Sequence, residues 1–424
     1  MNCLLILFIF MIVSCDNKKE ALSPSIIPVA STIGNYNILN LSEFASEIRY
    51  VPLETNDSVL IASKILDIIY ENEKILILDA SYSGKYSCYL FDNNGKFYHK
   101  IGQRGQGPDD YLEINDVSIH ENLIYLTTWR KILLYDTSGR LIENINLQTN
   151  NIPADFRESG FHNIFPLKKD AYLVSIATYK GDCPMAYLFE TNQSAVKTVK
   201  EYPNHFSLDK IKGGGISSQE LGRMHRFKDD VRIYNAINDT IFTIGQNAEM
   251  NCAFIIDLGK YKIPLGFHEW KKVDFEHRKE YVRNYISIGL INESLNHLFI
   301  GFYFGNHAPE PFEITDHIWG GQYTKYDVYG VFDKNSGELA LMKQPIKGKL
   351  GFKNDVDNGP VIWPHYISSN NELVTYISVE EFLEYYDKVE NPSPQMAEIA
   401  KNAKIDDNLI VIIAKLKGKG LEKK

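Results

Sequence analysis

A set of aromatic, basic and imidazole side chains falls in short loop-like segments, several of them rich in glycine and proline. The set comprises Trp129, Arg130, Trp319, Tyr323, Trp363 and His365. Flat rings on rigid loops stack against sugar rings or peptide chains at low entropic cost, so these residues are candidate ligand contacts. The alternative is that they pack between structural units, as large aromatic side chains often do. The sequence leaves both interpretations open, and the chemistry it indicates is binding of a glycan or a peptide.

Motifs for the common catalytic mechanisms are absent from the sequence. No Gly-x-Ser-x-Gly nucleophile elbow occurs, and His268-Glu269 lacks the second histidine that a zinc-protease helix requires. The glycine-rich stretch Gly102–Gly107 has the order Gly-x-x-Gly-x-Gly and no following Lys-Ser/Thr, so it favours a tight linker over a phosphate loop. We therefore predict no catalytic residue and no cofactor.

Metal-binding patterns are equally weak. Residues 354–359 are acidic, but a calcium-loop alignment places Val356 on a ligand position. Four histidines lie near predicted strands or their loops: His120, His162, His225 and His297. We predict no metal site, although side chains from distant parts of a repeat protein can converge without any sequence spacing to reveal it.

The elements that must position these residues come from a repeat. An apolar run, a second apolar run and an Asp-x-x-Gly turn occur at 74–95 and again at 122–139, and the turns begin at Asp92 and Asp136, 44 residues apart. Aspartate bonds its own backbone and glycine accepts positive φ, which suits hairpin turns. A period of 40 to 50 residues with four short strands is typical of a propeller blade.

Looser copies at 171–190, 231–257, 297–337 and 372–413 bring the count to six. We predict an all-β fold, a six-bladed β-propeller of four-stranded antiparallel blades, with a short helical insertion near the C-terminus at about 378–404. The strand Ile48–Leu53 is expected to pair with Leu409–Ala414 and close the ring, which would cover two sheet edges.

The leader is the clearest local signal. Leu4–Val13 is an unbroken run of ten apolar residues followed by Ser14 and Cys15, too short to span a bilayer but suited to a signal peptide. Ile12–Cys15 resembles a bacterial lipobox, which implies lipidation of Cys15. We therefore predict a lipoprotein signal peptide at 1–14, a flexible tether at 15–40 and a single propeller domain at 41–424.

Net charge and cysteine content argue against several classes of function and site. The net charge of −9 and the absence of a dense basic cluster from the body of the chain argue against nucleic-acid binding. Only Cys88, Cys183 and Cys252 follow the lipobox, an odd number without Cys-x-x-Cys spacing, so neither a disulfide framework nor a zinc site is indicated.

Gly102–Tyr111, running into Asn115–Ile119, resembles the blade linker of NHL-repeat propellers. Together with Ile48–Glu54, Asn238–Phe242 and Asn358–Pro364, it makes the mature chain similar to the six-bladed propeller lipoproteins of Bacteroides and its relatives. The resemblance implies the fold and an envelope location, and it implies no particular chemistry.

We expect a lipid-anchored, non-catalytic binding protein of the cell envelope. Its ligand would be a glycan or a peptide, its only membrane contact the N-terminal lipid, and its state a monomer. The outer membrane is the expected location, with the periplasmic or surface face left open. Two alternatives remain: a glycan hydrolase or lyase using carboxylates or a metal in the central channel, and a scaffold subunit of an uptake complex.

Overall fold

The two predicted Asp-x-x-Gly turns close hairpins in the structure. Gly95 and Gly139 have φ of +83° and +80°, in the left-handed region that favours glycine. A Cβ at Gly95 would also collide with the carbonyl oxygen of Pro52. The sequence therefore requires glycine at this position both for the turn and for the close approach of a neighbouring strand.

The computed structural model describes residues 24–61, 64–81, 83–147, 161–176, 184–192, 195–203, 223–235, 239–264, 280–315 and 321–418. Its N-terminal segment contains five short elements before the first full blade. They are β1 (Ser25–Ile27), α1 (Val29–Thr32), β2 (Tyr36–Asn37), α2 (Leu41–Phe44) and β3 (Ala45–Pro52).

Five blades then follow in chain order, each beginning with its innermost strand. Blade 1 holds β4 (Lys64–Glu71), β5 (Lys74–Ala80), β6 (Tyr86–Asp92) and β7 (Phe97–Lys100). Blade 2 holds β8 (Asp116–His120), β9 (Leu123–Thr127), β10 (Lys131–Asp136) and β11 (Leu141–Asn146). Blade 3 holds β12 (Phe161–Lys168), β13 (Ala171–Ile176), β14 (Ala186–Asn192) and β15 (Ala195–Tyr202). Blade 4 holds β16 (Arg223–Phe227), β17 (Asp230–Tyr234), β18 (Thr240–Ile244) and β19 (Met250–Ile256), followed by the 3₁₀ helix η1 (Gly259–Tyr261).

Blade 5 carries an insertion. Its strands are β20 (Ser287–Glu293), β21 (His297–Tyr303), β24 (Asp327–Asp333) and β25 (Leu339–Met342). Between β21 and β24 lie the 3₁₀ helix η2 (Gly305–His307) and a separate hairpin of β22 (Phe312–Thr315) and β23 (Gln322–Lys325). This hairpin is not among the elements predicted from the sequence.

Blade 6 joins the two ends of the described chain. Its strands are β26 (Tyr366–Ile367), β27 (Glu372–Ile377), β28 (Ile410–Leu416) and, as the outermost strand, β3. Antiparallel pairing aligns Ile410 with Pro52 and Ala414 with Ile48, so the predicted closure is confirmed.

The predicted helical insertion is also present, as α3 (Val379–Tyr386) and α4 (Pro394–Asn402) between β27 and β28. The side chains of Ser378 and Ser393 accept hydrogen bonds from the first turns of these two helices. Phe382 and Met396 are fully buried against the core between blades 5 and 6, which fixes the helices to the ring.

Each innermost strand contacts the next, in the order β4, β8, β12, β16, β20, β26 and back to β4. Six clusters of buried hydrophobic residues accompany this order, one at each interface between neighbouring blades. The predicted six-bladed propeller is therefore confirmed, and its innermost strands surround a central channel.

The predicted tether requires a correction from residue 24 onward. Strand β1 pairs in parallel with β19 at the outer edge of blade 4, and β2 pairs with β25 at the outer edge of blade 5. Ile27 and Val29 are fully buried in the core between those blades, because this stretch carries apolar residues that the polar start of the segment does not. Residues 24–44 form a strap over two blades; residues 1–23 lie outside the described part of the chain.

Candidate functional site

The central channel holds a cavity of about 720 Å³. Its lining comes from all six innermost strands and from the turns that follow them, so the cavity is a property of the closed ring. Because six different blades supply the walls, residues as far apart in the sequence as Ile65 and Tyr376 line the same cavity.

Two carboxyl groups stand at the wall formed by blades 1 and 2. Asp67 on β4 accepts a hydrogen bond from the Ile68 backbone N–H at 2.8 Å, and burial raises its pKa to about 7. Burial and the nearby charge of Asp67 raise the pKa of Asp116 on β8 to about 8. Asp116 also accepts a hydrogen bond at 3.1 Å from the backbone N–H of Ile164 in blade 3. Both carboxyl groups therefore change charge near neutral pH.

A third channel carboxylate is occupied by internal partners. Glu71 accepts hydrogen bonds from the Tyr366 hydroxyl at 2.7 Å and from the Ser369 backbone N–H at 2.8 Å, and a further one from the Ser369 hydroxyl. Since Tyr366 and Ser369 belong to blade 6, Glu71 joins the last blade to the first at the channel wall. Its role in the described structure is to stabilise the contact between blades 6 and 1.

The wall formed by blade 4 is basic. Strand β16 supplies Arg223 and Arg226 to the lining, and Lys228 follows in the next turn. The Arg226 guanidinium donates to the carbonyl of Pro166 in blade 3, and its burial lowers its pKa. Burial, together with the charge of Arg226, lowers the pKa of His120 on β8, which keeps that imidazole neutral near pH 7.

A buried ion cluster lies beside this wall, at the interface of blades 4 and 5. Glu293 is 5% exposed and accepts hydrogen bonds from Arg232 at 2.8 and 3.2 Å and from Lys334 at 3.1 Å. The His225 Nε2 atom lies 3.3 Å from the same carboxylate. Burial alone would raise the pKa of Glu293, but the His225 and Arg232 hydrogen bonds and the two cationic charges lower it to about 2.

The five described residues among the six predicted to contact a ligand are not brought together. Trp129 is 47% exposed, and it lies with Arg130 in the turn between β9 and β10, outside the cavity lining. Tyr323 is 46% exposed on the β22–β23 hairpin. Trp319 falls outside the described residues.

Trp363 and His365 are close in sequence but differ in environment. The Trp363 ring stacks on Tyr329 with centroids 4.4 Å apart and on Phe352 at 5.5 Å, within the core between blades 5 and 6. Trp363 thus packs between blades, which is the alternative that the sequence left open. Of the five described residues, His365 lines the channel, where its Nδ1 atom lies 2.8 Å from the Thr375 hydroxyl.

The side chain of His162 lies outside what the structure describes, and the other three histidines named from the sequence do not form one cluster. His120 and His225 line the channel, whereas His297 packs against Phe44 with ring centroids 5.2 Å apart. Across the described ranges, no group of three or more His, Cys, Asp or Glu side chains is arranged to hold a metal ion.

The residues that sequence reasoning missed are Asp67, Asp116, Arg223 and Arg226. One signal was available for Asp67, because it interrupts the apolar run of an innermost strand, where a charge has no packing role. The convergence of these strands on one cavity needs the ring closure, which spacing along the chain does not contain.

Comparison with known families agrees with the domain limits seen in the structure. The family described as a domain of unknown function, DUF4934, matches residues 24–415. The chain belongs to this family. No curated protein matches the chain.

Solved structures similar to this DUF4934 chain include two from Bacteroides species. A candidate exported protein from Bacteroides fragilis is 19% identical, with a TM-score of 0.66 over 93% of this chain and 100% of its own, which shows a shared fold. A DUF4221 family member from Bacteroides vulgatus is 11% identical, with a TM-score of 0.49 over 88% of this chain and 97% of its own. Virginiamycin B lyase from Staphylococcus aureus is 12% identical, with a TM-score of 0.37 over 77% and 80%.

Within the part of the chain that the structure covers, none of the helices has the length and apolar character needed to cross a bilayer.

Proposed function

We propose that this protein is a lipid-anchored binding protein of the bacterial envelope, which takes a peptide or a glycan into its central channel without transforming it. The observation that carries the proposal is the cavity of about 720 Å³ lined by all six blades. Pockets that bind small ligands typically measure about 300–1,000 Å³ and combine apolar walls with a few polar groups. The wall of this cavity has both.

A variant that fills the channel tests this proposal. Leu290 lines the cavity and is 63% exposed, so Leu290→Trp adds bulk to the cavity without disturbing a packed core. Leu60 is 66% exposed outside the lining, and Leu60→Trp is the matched control. Ligands are first found by screening the full-length chain, in detergent, against peptide and glycan libraries. We expect these ligands to bind Leu290→Trp at least tenfold more weakly than the wild type and to bind Leu60→Trp with unchanged affinity. Equal affinity for both variants would place binding elsewhere and refute the channel as the site.

A second candidate function follows from the acid pair. Carboxyl groups that titrate near the working pH are suited to general acid and base catalysis, and burial raises the pKa of Asp67 to about 7 and that of Asp116 to about 8. A glycan hydrolase or lyase would convert library members to products detectable by mass spectrometry, and Asp67→Asn and Asp116→Asn would each slow this conversion by at least a hundredfold. Bound ligand recovered unchanged would favour the binding function.

The lipid anchor is tested separately from the channel. The leader and the lipobox-like Ile12–Cys15 support attachment through the Cys15 thiol, and Cys3 in the same leader offers a matched control. In cells fed an alkyne-labelled fatty acid, Cys15→Ser should abolish labelling and release the protein from the membrane fraction. Cys3→Ser should leave both unchanged. Labelling that persists in Cys15→Ser would exclude the proposed anchor.

A further inference from the structure

The channel has an acidic wall and a basic wall. From their positions we infer that the ligand is a short peptide with free ends, whose ammonium group binds at the Asp67 and Asp116 wall and whose carboxylate binds at Arg223. This inference rests on the proposed function and adds the chemical class of the ligand.

The ring order places these walls across the channel from each other. Strands β4 and β8 contribute the acidic groups and β16 contributes the arginines. In a closed ring of six, the first and fourth blades face each other, so β4 stands opposite β16. A ligand crossing the cavity therefore meets carboxyl groups at one side and a guanidinium at the other, and a cationic ligand group would favour ionisation of the carboxyl groups, so the arrangement complements a molecule with both charges.

The groups facing the ligand are not all used by the protein. Asp67 has its own following backbone N–H as the hydrogen-bond partner, whereas Glu71 and Glu293 are held by several side chains. Two more atoms of the lining, Ser118 Oγ and His225 Nδ1, are buried and find no hydrogen-bond partner among the described residues. Buried polar atoms are rarely left unpaired, so each of these two atoms leaves one hydrogen bond unmade at the cavity wall.

The apolar part of the lining favours a peptide over a sugar. Leu66, Leu290 and Leu295 line the cavity and are 38%, 63% and 45% exposed. The described aromatic residues of the lining are less exposed, and the Phe227 ring is covered by Lys334 at 4.0 Å. Aliphatic side chains suit the apolar side chains of a peptide, whereas sugar rings are usually gripped by exposed aromatic faces.

Calorimetric titration of the full-length chain in detergent tests the charge pairing directly. The probes are trialanine, N-acetyl-trialanine and trialanine amide. We expect trialanine to bind, and acetylation or amidation to weaken binding at least tenfold each, because each modification removes one of the two charges. Asp67→Asn should remove the discrimination against the acetylated peptide, and Arg223→Gln the discrimination against the amide. Asp57→Asn, exposed and outside the lining, should change neither.

The possible results distinguish failure of the charge pairing from failure of the proposed binding function. Equal binding of the three probes, or discrimination that survives both channel substitutions, overturns the charge pairing. Failure of trialanine to bind, with a glycan captured in the channel and lost in Leu290→Trp, overturns the peptide ligand while the channel remains a binding site. Failure of every peptide and glycan to respond to Leu290→Trp overturns the proposed function itself. Thermal melts of Asp67→Asn and Arg223→Gln that match the wild type exclude misfolding as the cause.

Discussion

Replacing Glu293 by glutamine should reveal how strongly the ion cluster stabilises the interface of blades 4 and 5. The carboxylate is 5% exposed and touches Arg232, Lys334 and His225 at 2.8–3.3 Å. Its neighbours lower the pKa from the ordinary value of 4.5 to about 2. A shift of one pKa unit corresponds to about 1.4 kcal/mol, so the ionised form contributes about 3 kcal/mol to the free energy of unfolding at pH 7.

The same shift fixes the pH dependence. A lowered pKa means that the folded state releases its proton more readily than the unfolded chain, so the contribution is complete above pH 4.5 and is lost as the pH falls towards 2. Urea denaturation should therefore show Glu293→Gln about 3 kcal/mol less stable than the wild type at pH 7. At pH 3 the difference should be about half as large.

A surface ion pair of similar length provides the control. Glu249 lies 3.2 Å from Lys200, but its side chain is 65% exposed. Water screens such a pair, so Glu249→Gln should cost less than about 1 kcal/mol. If both substitutions cost the same, or if the deficit of Glu293→Gln does not shrink in acid, the cluster does not stabilise the interface electrostatically.

Three further predictions concern packing and titration. Trp363→Ala should lower the free energy of unfolding by about 3 kcal/mol, because the ring stacks in the core, whereas Trp129→Ala should change it by less than about 0.5 kcal/mol. Ile27→Ala should cost about 3 kcal/mol if the strap is docked, and Ile26→Ala, at a site 58% exposed, much less. Because the pKa of Asp116 is raised, the unfolded chain releases this proton at lower pH than the folded protein, and the wild type loses stability as the pH rises from about 4 through 8. The melting temperature of Asp116→Asn relative to the wild type should therefore increase between pH 5 and pH 9.

Each of these predictions has its own contrary result. Similar urea midpoints for the two tryptophan variants would mean that Trp363 does not support the core. Wild-type stability of Ile27→Ala would show that residues 24–44 do not hold the ring. If the difference in melting temperature between Asp116→Asn and the wild type stays constant with pH, ionisation of this carboxyl group does not affect the stability of the fold.

The fold was predictable because its signals are local. Asp92 and Gly95 define a turn within four residues, and a second copy 44 positions later identifies the blade. Pairing of Ile48–Leu53 with the final strand followed from the need to cover two sheet edges. The strap was missed because its apolar residues, such as Ile27, follow a polar stretch and form strands of only two or three residues.

The candidate site was not predictable in the same way, since its parts meet only across the closed ring. Loop aromatics such as Trp363 matched a general pattern for ligand contacts, but the packing partners Tyr329 and Phe352 come from other elements of the ring. Asp67 and Arg223 carry no motif, and what makes them candidates is that β4 and β16 stand on opposite sides of one cavity.

The acidic residues of the channel fall into two groups that differ in hydrogen bonding and in protonation. Glu71 and Glu293 have several donors and join neighbouring blades, whereas Asp67 and Asp116 hold protons that ordinary carboxyl groups would have released. A cationic ligand group beside Asp67 would favour its ionised form and lower its pKa, so binding near pH 7 must release protons. Titrations in two buffers of different ionisation enthalpy measure this release directly. Proton release in the wild type that disappears in Asp67→Asn would show that ligand binding ionises Asp67. Equal binding heats in both buffers would show that binding releases no proton and would refute this coupling.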